Sequence, residues 1–405
     1  MGFYWRRWIV RGSWCAALGV ASCARVGTGG ESSTAAGAGS DAGQEMSDAG
    51  TLNSGATSGG APPADAGAAA GGNTSAGASA SGASASGAGS GGTGGSAPLL
   101  SAGCGKALPS QVTTGAWSLM ADQDATPGKP APVVVPCTVD PNGKATPACV
   151  NQFTNRGYAV FVKAGFDNTQ PSKVIYDAAT CGDTSAWHGS NVGYPYQTVD
   201  SSSAVQVIHV GIAYSRNDQC YDDQNPASND FQFFPLLHQL IEDQFCVNKD
   251  LEYFAGNGTG AWLANQMTCA FPDVLRGVAE ATGGEPTAQP TCAVSNHPIA
   301  SLFLHDIADQ YAAYSGILPA CTRALKQNQC TPTLCSPSDT TLTNPYTPTT
   351  APMYPATMNC VQFKGCPAAA PVVFCTTNVG TTPGAAHYTG ATWPTSLLWD
   401  FMNRY

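Results

Sequence analysis

From about Val26 to Ser96 the chain is almost entirely Gly, Ala, Ser and Thr, and a stretch of that composition cannot build a core. Such side chains bury too little apolar area to offset the entropy of ordering the backbone. The folded part therefore has to follow it, from about Ser101 to Tyr405 of the 405 residues. That length supports one sizeable core. No second linker-like shift in composition divides it. The tract has no fixed period and no Gly-X-Y repeat, which excludes collagen. As a flexible tether of about 70 residues it would have an r.m.s. reach of roughly 45–50 Å.

Ahead of the tract, Met1 to Ser22 has the parts of a signal peptide. Arg6, Arg7 and Arg11 form a charged start, and a short apolar stretch runs from Trp14 to Ala21. It is too short to span a membrane stably. Its end, Val20-Ala21-Ser22-Cys23, resembles a bacterial lipobox, in which the Cys23 thiol would be diacylated. Acyl chains contribute about 0.8 kcal/mol per buried CH₂, so several of them anchor firmly. The expected organisation is a leader over 1–23, a disordered tether over 24–100 and one folded domain over 101–405. The expected partner of Cys23 is a membrane. The expected location is the outer membrane or cell surface, or else secretion.

The formal net charge is −10 and only 11% of residues are charged. No cluster of Lys and Arg follows the leader, which argues against nucleic acid as a partner. The chain holds 16 cysteines, of which Cys15 and Cys23 lie in the leader, leaving fourteen (16 − 2) between Cys104 and Cys375. They show no zinc-like double pair with flanking histidines. Scattered cysteines in an exported chain read as disulfides, whose connectivity the sequence does not give.

Apolar periodicity then predicts an alternation of strands and helices. Tyr158–Lys163, Lys173–Tyr176 and Ala204–Tyr214 read as strands, and a helix follows over Asp230–Phe245 with Asn229 or Ser228 as N-cap. Leu251–Ala255 is a strand and Ala261–Cys269 a helix. Leu275–Ala279 and Ile299–Leu304 are strands, Leu318–Gln327 a helix, Val372–Cys375 a strand and Pro394–Asn403 a final helix. Such alternation implies an α/β fold, a mostly parallel central sheet with helices on both faces. Disulfides would stabilise it.

The most informative segment is Leu251-Glu-Tyr-Phe-Ala-Gly-Asn-Gly-Thr-Gly-Ala-Trp-Leu-Ala-Asn265. A strand ends, a Gly-x-x-x-Gly turn follows and a helix begins. That is the setting of a nucleophile elbow, Gly-x-Ser-x-Gly. Here the central position is Gly258. Further on come Ile299-Ala-Ser-Leu-Phe-Leu-His-Asp-Ile-Ala-Asp309, Tyr314-Ser-Gly316, Val372-Val-Phe-Cys-Thr-Thr377, His387, Trp393-Pro394 and Trp399-Asp400-Phe401. Cys220-Tyr221-Asp222-Asp223 precedes an aromatic helix. With the elbow, these segments resemble the secreted α/β-hydrolase esterases grouped as polyhydroxybutyrate depolymerase-like and feruloyl esterase-like proteins. The resemblance runs from about Gly157 to the end. The order elbow, acid, histidine is that of α/β-hydrolases.

The resemblance implies an α/β-hydrolase fold and a set of roles. Asp309 would orient His387, the general base. Backbone N–H groups of Thr259 and Ala178 would form the oxyanion hole. No cofactor and no metal is implied. The nucleophile does not carry over, because Gly258 has no side chain. Thr259 stands beside it as the only neighbouring hydroxyl. Two more positions depart from the group's pattern. Asp177 follows the second strand, where a carboxylate would oppose a developing oxyanion, and His305-Asp306 replaces the usual glycine before the acid.

Other chemistry is thin. Asp222-Asp223 and Asp230 precede a helix and read as caps rather than calcium ligands. His209, His238 and His297 have no ligand spacing. Trp187, Trp262 and Trp393 would line a cleft or fill the core. Three functions follow as expectations. The first is a tethered, catalytically impaired domain binding a polyester or polysaccharide ester. The second is an active carboxylic ester hydrolase using Thr259 or another nucleophile. The third is a structural envelope protein.

Overall fold

The computed structural model describes residues 98–135, 154–181, 205–215, 220–221, 229–284, 297–348, 358–378 and 395–405. The expected leader, Cys23 and residues 24–97 of the expected tether lie outside them, as do Trp187, His387 and Trp393, whereas Leu99 and Leu100, expected in the tether, pair with Lys249 and Asn248. Among the described residues no helix is long and apolar enough to cross a membrane.

In chain order the strands are β1 (Trp117–Ala121), β2 (Val133–Val134), β3 (Asn155–Arg156), β4 (Tyr158–Val162), β5 (Ser172–Ala178) and β6 (Gln206–Ile212). Helix α1 (Asn229–Gln244), β7 (Val247–Asn257), α2 (Thr259–Ala270), β8 (Gly277–Ala281) and β9 (Ala300–Asp306) follow. Then come α3 (Tyr314–Gln327), β10 (Thr343–Pro345), β11 (Asn359–Phe363), β12 (Val372–Thr377) and α4 (Thr395–Arg404). Ten strands form one sheet in the order β1-β4-β6-β5-β7-β8-β9-β12-β11-β10. The run from β6 through β12 is parallel. At one side β4 runs antiparallel to both β1 and β6, and at the other β11 is antiparallel to β10 and β12. The first swap, β6 ahead of β5, puts a crossover beside β7. This is the α/β-hydrolase arrangement.

The parallel strands are near-continuous apolar runs because both of their faces are covered. On one face Val174, Tyr176, Phe254 and Val278 pack with Phe233, Phe234, Leu237 and Ile241 of α1 and Leu263 and Met267 of α2. Phe303 and Phe374 continue that face beneath Ile317, Cys321 and Leu325 of α3. On the other face Ile175, Tyr253, Leu302 and Val373 pack with Leu397, Leu398, Phe401 and Met402 of α4.

Five disulfides join pairs of described residues: Cys104–Cys246, Cys181–Cys220, Cys321–Cys335, Cys330–Cys366 and Cys360–Cys375. The last joins directly opposed residues of β11 and β12. Disulfides at this density belong to an oxidising compartment.

Candidate active site

The elbow forms where the sequence places it. Strand β7 ends at Asn257 and α2 begins at Thr259. Between them Gly258 takes φ 55° and ψ −121°, a conformation L side chains rarely adopt. The turn is tied on both sides. The Gly258 N–H donates to the Ala281 carbonyl (3.1 Å) at the end of β8, and its own carbonyl accepts from Ala261 and Trp262 (3.0 and 3.1 Å). The Thr282 hydroxyl donates to Asn257 Oδ1 at 2.7 Å, holding the residue before the turn.

The flanking glycines are steric requirements. A Cβ on Gly256 would lie 2.1 Å from the Gly260 carbonyl oxygen, and one on Gly260 would lie 2.0 Å from that of Ala178. Strand, turn, helix and the end of β5 therefore meet backbone to backbone. Gly260→Ala sets two effects against each other. Helix propensity favours alanine by about 1 kcal/mol, but the new methyl strikes fixed backbone. The expected outcome is a net loss of ~1–3 kcal/mol or more, read as a lower midpoint in urea unfolding.

That close approach also brings Ala178 to the elbow. The Gly260 N–H donates to the Ala179 carbonyl at 3.1 Å. Ala179 in turn donates to the Tyr221 hydroxyl (3.3 Å), which donates to the Ile212 carbonyl (2.6 Å). Tyr221, whose role the sequence did not reveal, thus pins the ends of β5 and β6 beside the turn. The N-terminus of α2 sits here too, and its exposed N–H ends favour negative charge. Thr259 is half-buried, and its hydroxyl lies 3.3 Å from the Cys181 sulfur of the Cys181–Cys220 disulfide.

Asp309 follows β9, one strand beyond β8 from the elbow. Its side chain is buried. Oδ1 accepts from the Tyr311 and Ala312 N–H groups (2.8 and 3.0 Å), and Oδ2 lies 3.6 Å from His305 Nε2. His305 Nε2 also lies 2.8 Å from the Ala312 carbonyl. Asp306, the replacement for glycine, has a separate job. Thr377 Oγ1 donates to its Oδ2 (2.6 Å), and Ile307 N–H to the Thr377 carbonyl (3.0 Å). It locks the end of β9 to the end of β12, so this departure serves packing. Ala178, Gly258, Thr259 and Asp309 all stand at the carboxyl ends of the parallel strands, where open α/β sheets bind ligands. His387 follows β12 in sequence but lies outside the described residues.

Asp177 sits within β5 and is buried. Side chains alternate along a strand, so it faces α4, opposite Tyr176 and Ala178. Burial pushes its carboxyl well above the usual carboxylate range. The group therefore carries a proton where a surface aspartate would not, which removes the expected opposition to an oxyanion. The folded state then binds a proton that the unfolded chain has released. Stability falls as pH rises from about 4, the unfolded carboxyl's value, toward the higher folded value. Asp177→Asn should flatten that slope, by about 1.4 kcal/mol for each pH unit separating the two values. Urea unfolding between pH 4 and pH 9 checks it.

No family model matches the chain. Over 191 residues, 45% of this chain, it is 24% identical to feruloyl esterase C of Emericella nidulans. The domain is esterase-like. The match covers 66% of that relative, a little under two thirds of its length. Solved esterase structures are among those similar to this chain. Acetyl xylan esterase from Aspergillus awamori superposes with a TM-score of 0.43 at 14% identity, over 63% of this chain and 96% of its own. The feruloyl esterase module from Clostridium thermocellum, complexed with sinapinate, gives 0.40 at 11%, over 68% and 94%.

Proposed function

We propose that this chain holds an esterase-like domain at the cell surface, through a lipid on Cys23 and a long flexible tether. The domain binds a polyester or polysaccharide ester without cleaving it. The observation that carries this reading is Gly258. The elbow is strained, tied and sterically complete, yet the residue at its apex has no atom that attacks a carbonyl. Loss of a triad serine costs about 10⁶ in kcat. Binding and an oxyanion hole survive that loss, with a residual of about 10³–10⁴ over water. Support for reading Thr259 as no substitute comes from its hydroxyl, which lies 3.3 Å from the Cys181 sulfur at the loop after β5.

Support for the ligand class comes from the similarity to a feruloyl esterase. The test incubates the purified domain with feruloylated arabinoxylan and, separately, with polyhydroxybutyrate granules. The expected result is saturable retention on one of them, with no ferulate or hydroxybutyrate released on chromatography. Steady release would overturn the non-catalytic reading. Failure to bind either polymer would overturn the ligand class and favour a structural envelope role.

A further inference from the structure

Away from the elbow, His238 and Glu242 of α1 meet Glu252 of β7. Their ligand atoms all lie within 4.8 Å of one another. Sequence spacing hides this group, because the helix supplies two members four residues apart and the third comes from a strand. The separation from Glu252 to Gly258 along β7 is roughly 20 Å, so the two places are distinct.

We propose that His238, Glu242 and Glu252 form a binding site for a divalent cation of the Zn²⁺ class. The inner atoms are His238 Nε2, Glu242 Oε1 and Glu252 Oε1. The imidazole nitrogen lies 3.1 Å from Glu252 Oε1 and 3.5 Å from Glu242 Oε1. A tetrahedral zinc with bonds of about 2.0–2.2 Å has edges of roughly 3.3–3.6 Å. Both separations from the imidazole thus lie near such edges, and the third lies within 4.8 Å. Their orientation is fixed from outside, as metal ligands require. Tyr176 donates to Glu252 Oε2 at 2.9 Å. The His238 ring lies over Phe234, with ring centroids 6.2 Å apart.

The donor set, one imidazole and two carboxylates, suits zinc better than magnesium. Both carboxylates are buried, whereas His238 is 17% exposed and gives the group a side open to solvent. Buried carboxylates demand a compensating cation. Lys249 supplies one positive charge, at 2.8 Å from Glu242 Oε1, but its side chain is 35% exposed and can withdraw toward solvent. Lys249 and the cation therefore compete for Glu242.

That competition separates a metal site from an internal ion-pair network. The experiment titrates Zn²⁺ into the untagged full chain by calorimetry, with Mg²⁺ as control, and follows thermal unfolding in parallel. The expected result is saturable binding at this site and a rise in midpoint with Zn²⁺ alone. Glu242→Gln and His238→Gln should each weaken it at least ~10-fold. Lys249→Met should tighten it, by removing the competing ammonium. The proposal is overturned if millimolar Zn²⁺ neither binds saturably nor raises the midpoint. It is equally overturned if the affinity is unchanged in both Glu242→Gln and His238→Gln. His238 lies at the partly open side and Glu242→Gln keeps the side chain's size, so these variants are expected to fold. Circular dichroism confirms that before titration.

Discussion

Gly258→Ser should gain ester hydrolysis over a native chain that the proposed non-catalytic reading expects to show almost none. The elbow already holds the apex at φ 55° and ψ −121°. The Gly256 and Gly260 clearances are intact, and Asp309 is buried and held by two backbone N–H groups. With His387 in the role the family resemblance implies, a serine hydroxyl at that apex completes a nucleophile, base and acid. The expected gain in kcat/KM on p-nitrophenyl acetate is ~10³-fold or more, short of the full ~10⁶ that a triad serine is worth. Gly258→Ala is the control, since it adds a Cβ without the hydroxyl. Both variants should lose about 1–3 kcal/mol of stability, the cost of holding a side chain in a strained backbone region. Glycine, which adopts φ 55° without a Cβ penalty, spares the turn that cost. Activity equal in the serine and alanine variants would mean that Asp309 and His387 no longer converge on the turn.

Arg156→Ala should be the most damaging truncation outside the elbow, at ~3–5 kcal/mol. Arg156 is fully buried. Its Nη2 pairs with Asp230 Oδ1 at 2.8 Å and donates to the Ala213 carbonyl, and Nη1 donates to Asn229 Oδ1 at 2.7 Å. The guanidinium sits 4.5 Å above the Phe233 ring. Truncation leaves the Asp230 carboxylate buried without its cation, exactly where α1 starts. Adding Asp230→Asn should recover part of the loss by removing that charge. Urea unfolding of the single and double variants reads both effects, and a single-variant loss below about 1 kcal/mol would contradict the assignment.

The strongly periodic elements were legible in the sequence. Phe231, Phe234, Leu237, Ile241 and Phe245 mark α1, and the buried apolar runs mark β4, β5, β6, β8, β9 and β12. What escaped has physical reasons. Strand β1 alternates half-buried and buried residues over only five positions, and β10 is short and carries Pro345. The start of α3 reads as a breaker because of Gly316 and Pro319. Yet the helix runs from Tyr314, since burying Ile317, Cys321 and Leu325 against Phe303 and Phe374 outweighs local propensity. Strand β7 extends back to Val247 beyond the expected Leu251, where Leu100 bridges to Asn248.

At the site, the Gly-x-x-x-Gly spacing was enough to find the elbow, because the glycines answer to local backbone geometry. Tyr221, Asp306 and the His238 group were not legible. Each works through a partner brought from a distant strand: Ala179, Thr377 and Glu252 respectively. Asp177 shows the same limit from the other side. Its residue type suggests an exposed charge near an oxyanion, whereas the pleat turns it into the core and burial keeps it protonated.

Covalent labelling reads out whether the elbow is intact and lacks a nucleophile. Purified native chain and the Gly258→Ser variant are treated with a fluorophosphonate and weighed intact by mass spectrometry. The expected result is no adduct on the native chain and one adduct on the variant, mapped to the elbow peptide. Stoichiometric labelling of the native chain, at Thr259 or any other hydroxyl, would contradict it.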